Sequence, residues 1–486
     1  MNSLSPNQTA MRKPSALPVP AIEVMLLCAG VTMAYLCFVV GWLMPNQGVV
    51  LTTLFLVLLL ALSWKNFNQG RHPCFLFLGM LLLLQGGRLI AYCLGGEDDP
   101  LRIRVQVYFP FDLTRAESGT VLLSLSLSAL CVYGFCRLNY QRIAIPDVTP
   151  ALRYLPYLYL LFYASVPVQM FKNYSYYRYA QDHGGYLYFW VNHGEFAASV
   201  PFWVRLVSLV TLPSFVGIFV IEKRKWPLYL ATLCYFGSSL LLLLMGSRMG
   251  TLAMIVALWY AAGIKSGKKT RTAAVLGLGL VLFLVAGVFQ ALREESDSVV
   301  AYAIDPVAFI ALAGNSLDVT EVVVGYRDLF TPYATTYLKN EMTFAFSPHD
   351  LQHYYRGREL GHDVSVLLNP TEFARGIGTA GSYIAEEYMI GGLAGVVLIS
   401  ILIGVALHLL YRLSQNVFSL FFVALLLPDF LSMPRGDLLD WLSALAKDLL
   451  FVLILAAGWK MYSVLMWLKH APRSMQHFTP GLPEAR

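Results

Sequence analysis

The 486-residue chain is 57% hydrophobic and only 13% charged, with a mean hydropathy of +0.60. Soluble domains carry about a quarter of their residues as charges, so composition excludes an ordinary soluble protein and predicts an all-α polytopic membrane protein. The formal net charge of +6 says little by itself; the placement of the charges says more.

Residues 1–20 are polar, carry Arg12 and Lys13, and read as a cytoplasmic tail. The apolar run at 21–44 is too long for a signal-peptide core, and no clear small-x-small site follows it, so it reads as an uncleaved first span. Further runs follow near 49–64, 74–95, 118–136, 153–171, 198–221, 227–245, 250–264, 272–292, 388–411, 417–434 and 446–468, predicting about twelve transmembrane helices. The second, seventh, eighth and eleventh are short enough to be tilted or re-entrant. The expected organisation is helices 1–9 within 21–292, a large loop at 293–387, helices 10–12 within 388–468 and a second tail at 469–486. Outer loops are expected at 96–117 and 172–197. The seven cysteines (Cys28, Cys37, Cys74, Cys93, Cys131, Cys136 and Cys234) all fall in apolar runs. Their spacing gives neither a metal pattern nor a disulfide framework, which leaves them as small apolar packers.

Alternate loops divide by sign. Lys65/Arg71, Arg137/Arg142, Lys223–Lys225, Lys265–Arg271, Arg412 and Lys469/Arg473 fall on the same side as Arg12 and Lys13. The positive-inside rule makes that side cytoplasmic, with both termini there. The other side holds most of the acids and the large loop. Within that loop, 298–314 and 318–330 are apolar enough to lie on the membrane surface as amphipathic helices.

The chemistry gathers in these outer connections. In "MGSRMG", Arg248 stands between glycines near a helix start, where backbone N–H groups and a guanidinium fork suit a phosphate; an interfacial arginine that snorkels is the alternative. Arg88 and Arg205 lie near the outer edges of spans and divide the same way. The large-loop stretch "SPHDLQHYYRGRELGHDVSVLLNPTEFARG" offers His349, Asp350, His353, Arg356, Arg358, His362, Asp363 and Arg375. Histidines can move a proton near neutral pH, and the alternative for each one is an exposed loop residue. His349 and His353 could pair on a metal, but no third ligand has a fixed spacing. The loop around Asn173–Phe196 is dense in tyrosine, with Tyr177 and Trp190 open to a sugar-stacking role or to an aromatic belt. The segment "SMPRGDLLDWL" sets Arg435 and Asp437 beside Pro434 and Gly436, which reads as a second anion-facing turn or a capped turn.

"ARGIGTAGSYIAEEYMIGGLAG", at 374–395, returns the large loop to the bilayer. Its first glycines let the loop end fold closely, and Thr379 or Ser382 can cap the next helix. Glu386 and Glu387 sit early in that helix, where its dipole favours acids. Gly391 and Gly395, four apart, allow close helix packing.

"MGSRMG" between spans, then a long outer loop, then "GIGTAGSYIAEEYMIGGLAGVVLI" running into a late span together resemble the Wzy-type bacterial polymerases of O-antigen and exopolysaccharide repeat units. The likeness lies mostly in 240–411. The whole chain also looks like the GT-C class of lipid-linked-sugar transferases. The resemblance implies a glycosyltransferase at the periplasmic face of the inner membrane. It would move a growing glycan from undecaprenyl diphosphate to a new lipid-linked repeat, with no nucleotide sugar, cofactor or metal, and with a chain-length regulator as possible partner. It implies that Arg248 holds the donor diphosphate, with Arg375, Arg435 and Arg88 as further candidates. Glu386 would orient the Tyr383 region or the acceptor hydroxyl, Tyr383 would bind sugar, and His353, His362 or Asp363 would be the base. An O-antigen ligase is the nearest rival, and a polysaccharide or solute transporter the rival from another class.

Overall fold

The computed structural model describes residues 19–67, 70–96, 98–102, 112–183, 191–192, 199–244, 248–267, 305–343, 354–376 and 378–470, and among these all regular structure is helical. The first half comprises α1 (Val19–Val39), α2 (Pro45–Asn66), α3 (Pro73–Leu84), α4 (Gly87–Cys93), α5 (Arg115–Asn139), α6 (Leu155–Asp182), α7 (Phe202–Ser208), α8 (Thr211–Ile221), α9 (Lys225–Leu244) and α10 (Arg248–Ser266). The large loop contributes α11 (Pro306–Ala313), α12 (Ser316–Gly325), α13 (Arg327–Phe330), α14 (Ala334–Thr343), α15 (Leu360–Leu368) and α16 (Pro370–Ala374). The chain then enters α17 (Tyr383–Leu413), α18 (Val417–Ser432) and α19 (Asp440–His470).

Eight helices are long and apolar enough to cross a membrane, or ten if each of two bent pairs counts as one span. That falls short of the expected twelve among the described residues. The run at 272–292 lies outside them, α10 is short, and α6 carries its expected span on a tyrosine-rich helix that is not among the eight.

The two bent pairs organise the centre. α3 and α4 meet at 65°, and α11 and α12 at 44°. They cross at two glycines. A Cβ on Gly87 would lie 2.4 Å from the Ile310 carbonyl oxygen, and one on Gly314 would lie 2.5 Å from the Arg88 nitrogen. Only hydrogen side chains permit that backbone approach. Residues 316–324 of α12 are all buried, and α12 packs on α5 and α17. This corrects the expected surface location for 318–324, while Asp328 and Leu329 further on are exposed. Asp318, Thr320 and Glu321 find polar partners inside the bundle, which an amphipathic pattern cannot show.

A second apolar cluster joins α12, α13, α14 and α15 to the start of α17 through Val319, Val323, Phe330, Tyr337, Val364 and Met389. The large loop therefore has its own core, continuous with the helix that follows it. α17 is broken at Gly391 and Gly392, the latter at φ +59°. Arg327 Nε donates to the Met389 carbonyl at 3.2 Å, beside the break. The expected helix-packing role of Gly391 and Gly395 is thus replaced by a kink. A Cβ on Gly395 would lie 2.2 Å from the Glu387 carbonyl oxygen, so Gly395 admits the close approach of the two halves of α17 across the break.

A buried acid site between the bundle and the large loop

Pro434 ends α18 in a 3-10 turn, because proline at the turn's start cannot continue the helical hydrogen bonds. Its carbonyl accepts from Gln85 Nε2 at 2.5 Å, and the same amide donates to Ser382 Oγ at 2.9 Å. Ser382 in turn caps α17 by accepting from the Ala385 amide, as its position predicted. Gln85, at the α3–α4 break, thereby fixes the 433–439 turn against the start of α17.

Two backbone amides of that turn point at acids. Leu438 N donates to Glu386 Oε2 at 2.8 Å, and Leu439 N donates to Glu341 Oε2 at 2.9 Å. Asp437 completes the group: one carboxyl oxygen from each of Glu341, Glu386 and Asp437 lies within 4.8 Å of the others. The three are 1%, 0% and 4% exposed. The approach depends on Gly381, where a Cβ would come 2.5 Å from Asp437 Oδ1 and 3.1 Å from the Gly436 carbonyl.

Burial and crowding set the electrostatics, because each carboxylate disfavours ionisation of the next. Glu341 is pushed up to about 9 by burial first and then by Asp437, against the Leu439 hydrogen bond. Burial, then Glu359 and Asp440, holds Asp437 well above the usual carboxylate range. Glu359 rises to about 8 through burial and Asp440, against Arg358.

His362 stands beside this group, with Nδ1 3.2 Å from Glu359 Oε2 and its ring against Phe373. Burial and Arg358 lower it to about 4, so the ring is neutral at pH 7. Asp363 has another task. It accepts from Tyr337 OH at 2.5 Å, Tyr354 OH at 2.8 Å and the Gly357 amide at 2.8 Å, fixing a turn at Gly357. Its oxygens are committed to donors, which does not suit a base. Arg375 is two-thirds exposed and pairs with Glu372 at 2.9 Å. Arg435 closes the 3-10 turn, two residues before Asp437. Arg248 opens α10, as the helix-start reading predicted, and its side chain lies outside the described atoms. His353 and Trp190 also lie outside the described residues. Tyr177 is half-buried and packs around Ala180 on α6.

Three expectations change. Arg88 is 0% exposed and pairs with Asp318, with Glu321 Oε2 at 3.8 Å and the Arg102 carbonyl also in contact. Its guanidinium is committed inside the helix crossing rather than offered to a diphosphate. Tyr383 is equally buried, with its hydroxyl 2.8 Å from Ser128 Oγ and its ring against Phe77, and does not face a sugar. Glu386 and Glu387 are both 0% exposed. Glu386 turns to the acid site, while Ser400 Oγ lies 3.0 Å from each oxygen of Glu387 across the α17 kink. The acid pair sits at the start of α17 as expected, but divides between two buried networks.

Sequence reasoning missed Glu341 and Glu359 and read Asp437 only as part of a turn. One signal was available: Glu341 follows Tyr337 by four residues, placing an acid on the buried face of α14.

Fold and site together define a multi-pass helical membrane protein with a buried acid site where its large loop meets the bundle. The family described as O-antigen polysaccharide polymerase Wzy matches residues 24–464, and the chain belongs to that family. No curated protein and no solved structure matches.

Proposed function

We propose that this chain elongates undecaprenyl-diphosphate-linked glycans at the periplasmic face of the inner membrane. Both termini would be cytoplasmic, and the helical scaffold would be of the GT-C kind. The family match over 24–464 carries the reading. A hydroxyl at the non-reducing end of a new lipid-linked repeat attacks the anomeric carbon of the growing glycan. The bond from that carbon to the diphosphate breaks, and undecaprenyl diphosphate leaves with the electron pair.

Arg248 at the start of α10, with Arg375 and Arg435, would stabilise the leaving diphosphate. His362 is the favoured base. Its ring is neutral, the form that accepts a proton, and Glu359 Oε2 lies 3.2 Å from its Nδ1 without an aligned hydrogen bond. Glu386 is too deeply buried to touch the acceptor and would position the 437–439 turn instead. A chain-length regulator is the expected partner.

The crossed broken helices favour one other reading, since transporters build substrate sites at such breaks. The crossing here is closed by backbone contact and by the Arg88–Asp318 pair, which favours a scaffold over a pathway. Deleting the gene separates the readings. The polymerase predicts lipid A core carrying single repeats. Bare core would indicate a ligase, and repeats trapped inside the cell would indicate a transporter.

A further inference from the structure

The acid site contains two buried oxygens, Glu386 Oε1 and Asp437 Oδ1, that meet no N–H or hydroxyl donor, and the two carboxyls face each other. Neither is excused by exposure, since their residues are 0% and 4% accessible. Two buried carboxyls that face each other cannot both stay ionised alone; they share a proton or a metal ion. Among the described residues, no lysine or arginine forms an ion pair with Glu341, Glu386 or Asp437.

We propose that Glu341, Glu386 and Asp437 hold a hard divalent cation of the Ca2+ or Mg2+ class, which clasps the large-loop subdomain to the membrane bundle. The donor set is oxygen only, which suits these ions over zinc or copper. Its three oxygens already lie within 4.8 Å of one another, so an ion can gather them with small side-chain movements. The Leu438 and Leu439 amides each hold one oxygen of Glu386 and of Glu341, which orients the carboxylates as a supporting shell does around a metal. The ligands come from three places: α14 of the large loop, the start of α17 and the turn between α18 and α19. An ion there joins segments that the backbone joins only distantly.

The inference does not depend on the polymerase reading, and its test reads binding and stability rather than catalysis. The purified full chain in detergent is stripped with chelator and dialysed, then titrated with Ca2+ alone or Mg2+ alone. Bound ion is measured by elemental analysis and unfolding by intrinsic fluorescence. The expected result is saturable binding of about one ion per chain, with a rise in melting temperature that the chelator reverses. Asp437→Asn and Glu341→Gln should lose both. No saturable binding by the wild-type chain would overturn the proposal, as would equal binding by folded Asp437→Asn. Stabilisation by acid but not by either ion would also overturn it, and would assign protons to the site. If the variants do not fold, wild-type binding stoichiometry decides alone. Binding without glycan elongation would leave the clasp intact and count against the polymerase reading.

Discussion

The molecule buries two groups of acids and treats them oppositely. At the helix crossing, Asp318 and Glu321 lie around Arg88, which is itself completely buried. At the large-loop junction, Glu341, Glu386 and Asp437 gather against one another with no pairing arginine or lysine among the described residues. The first group is closed by a side chain of the protein and reads as scaffold. The second is left open to something from outside, a cation or protons, and sits next to His362, Glu359 and the turn that carries Arg435. A buried charge closed from within reports on folding; one left open reports on a site.

The largest effect should come from breaking the closed group. Arg88→Ala would strand Asp318 and Glu321 in the interior, and breaking a buried pair in this way costs about 3–5 kcal/mol. The expected outcome is loss of folded protein from membranes, read by size-exclusion of a fluorescent fusion. Normal yield would remove the distinction between the two groups. His362→Ala should instead leave the fold intact and lower elongation about 10²–10⁴-fold, the range for a general base. It is read as repeat number per chain at equal protein level, and an unchanged distribution would release His362 from that role. Gly87→Ala should cost about 1–3 kcal/mol through overpacking at the crossing, because the new methyl meets backbone 2.4 Å away. The decline would show in the thermal midpoint, and an unshifted midpoint would mean that the crossing yields.

A further test concerns pH. Glu341 and Glu359 titrate near about 9 and about 8 in the fold, above the ordinary carboxylate value. Between that ordinary value and these raised ones, the folded state binds more protons than the unfolded, so stability falls as pH rises. Ion-free protein should therefore melt at progressively higher temperature as pH is lowered from about 9 towards 5. Saturating cation should flatten the slope. A midpoint that rises with pH would reverse the assignment of the open group.

Much of the scaffold was legible in sequence because its signals are local. Long apolar runs gave most of the spans, Ser382 was one of two cap candidates for α17, and Arg248 announced the start of α10. Glycine gave half its meaning: the break in α17 falls in "MIGGLAG", but whether glycines admit a neighbour or end a helix depends on what lies across from them. The acid site was less legible because its members are distant in the chain and their meeting is set by Gln85, Pro434 and Gly381. Arg88 shows the same limit: an arginine near a span edge looks alike whether it faces a diphosphate or two buried acids.

The most direct measurement of the central claim is elongation by the purified chain in lipid vesicles, supplied with undecaprenyl-diphosphate-linked repeats and no nucleotide sugar. The account predicts a ladder of lipid-linked glycans that grows with time and collapses to single repeats in Arg248→Ala. Repeats that cross the bilayer without lengthening, or that stay unchanged with folded wild-type protein, would contradict it.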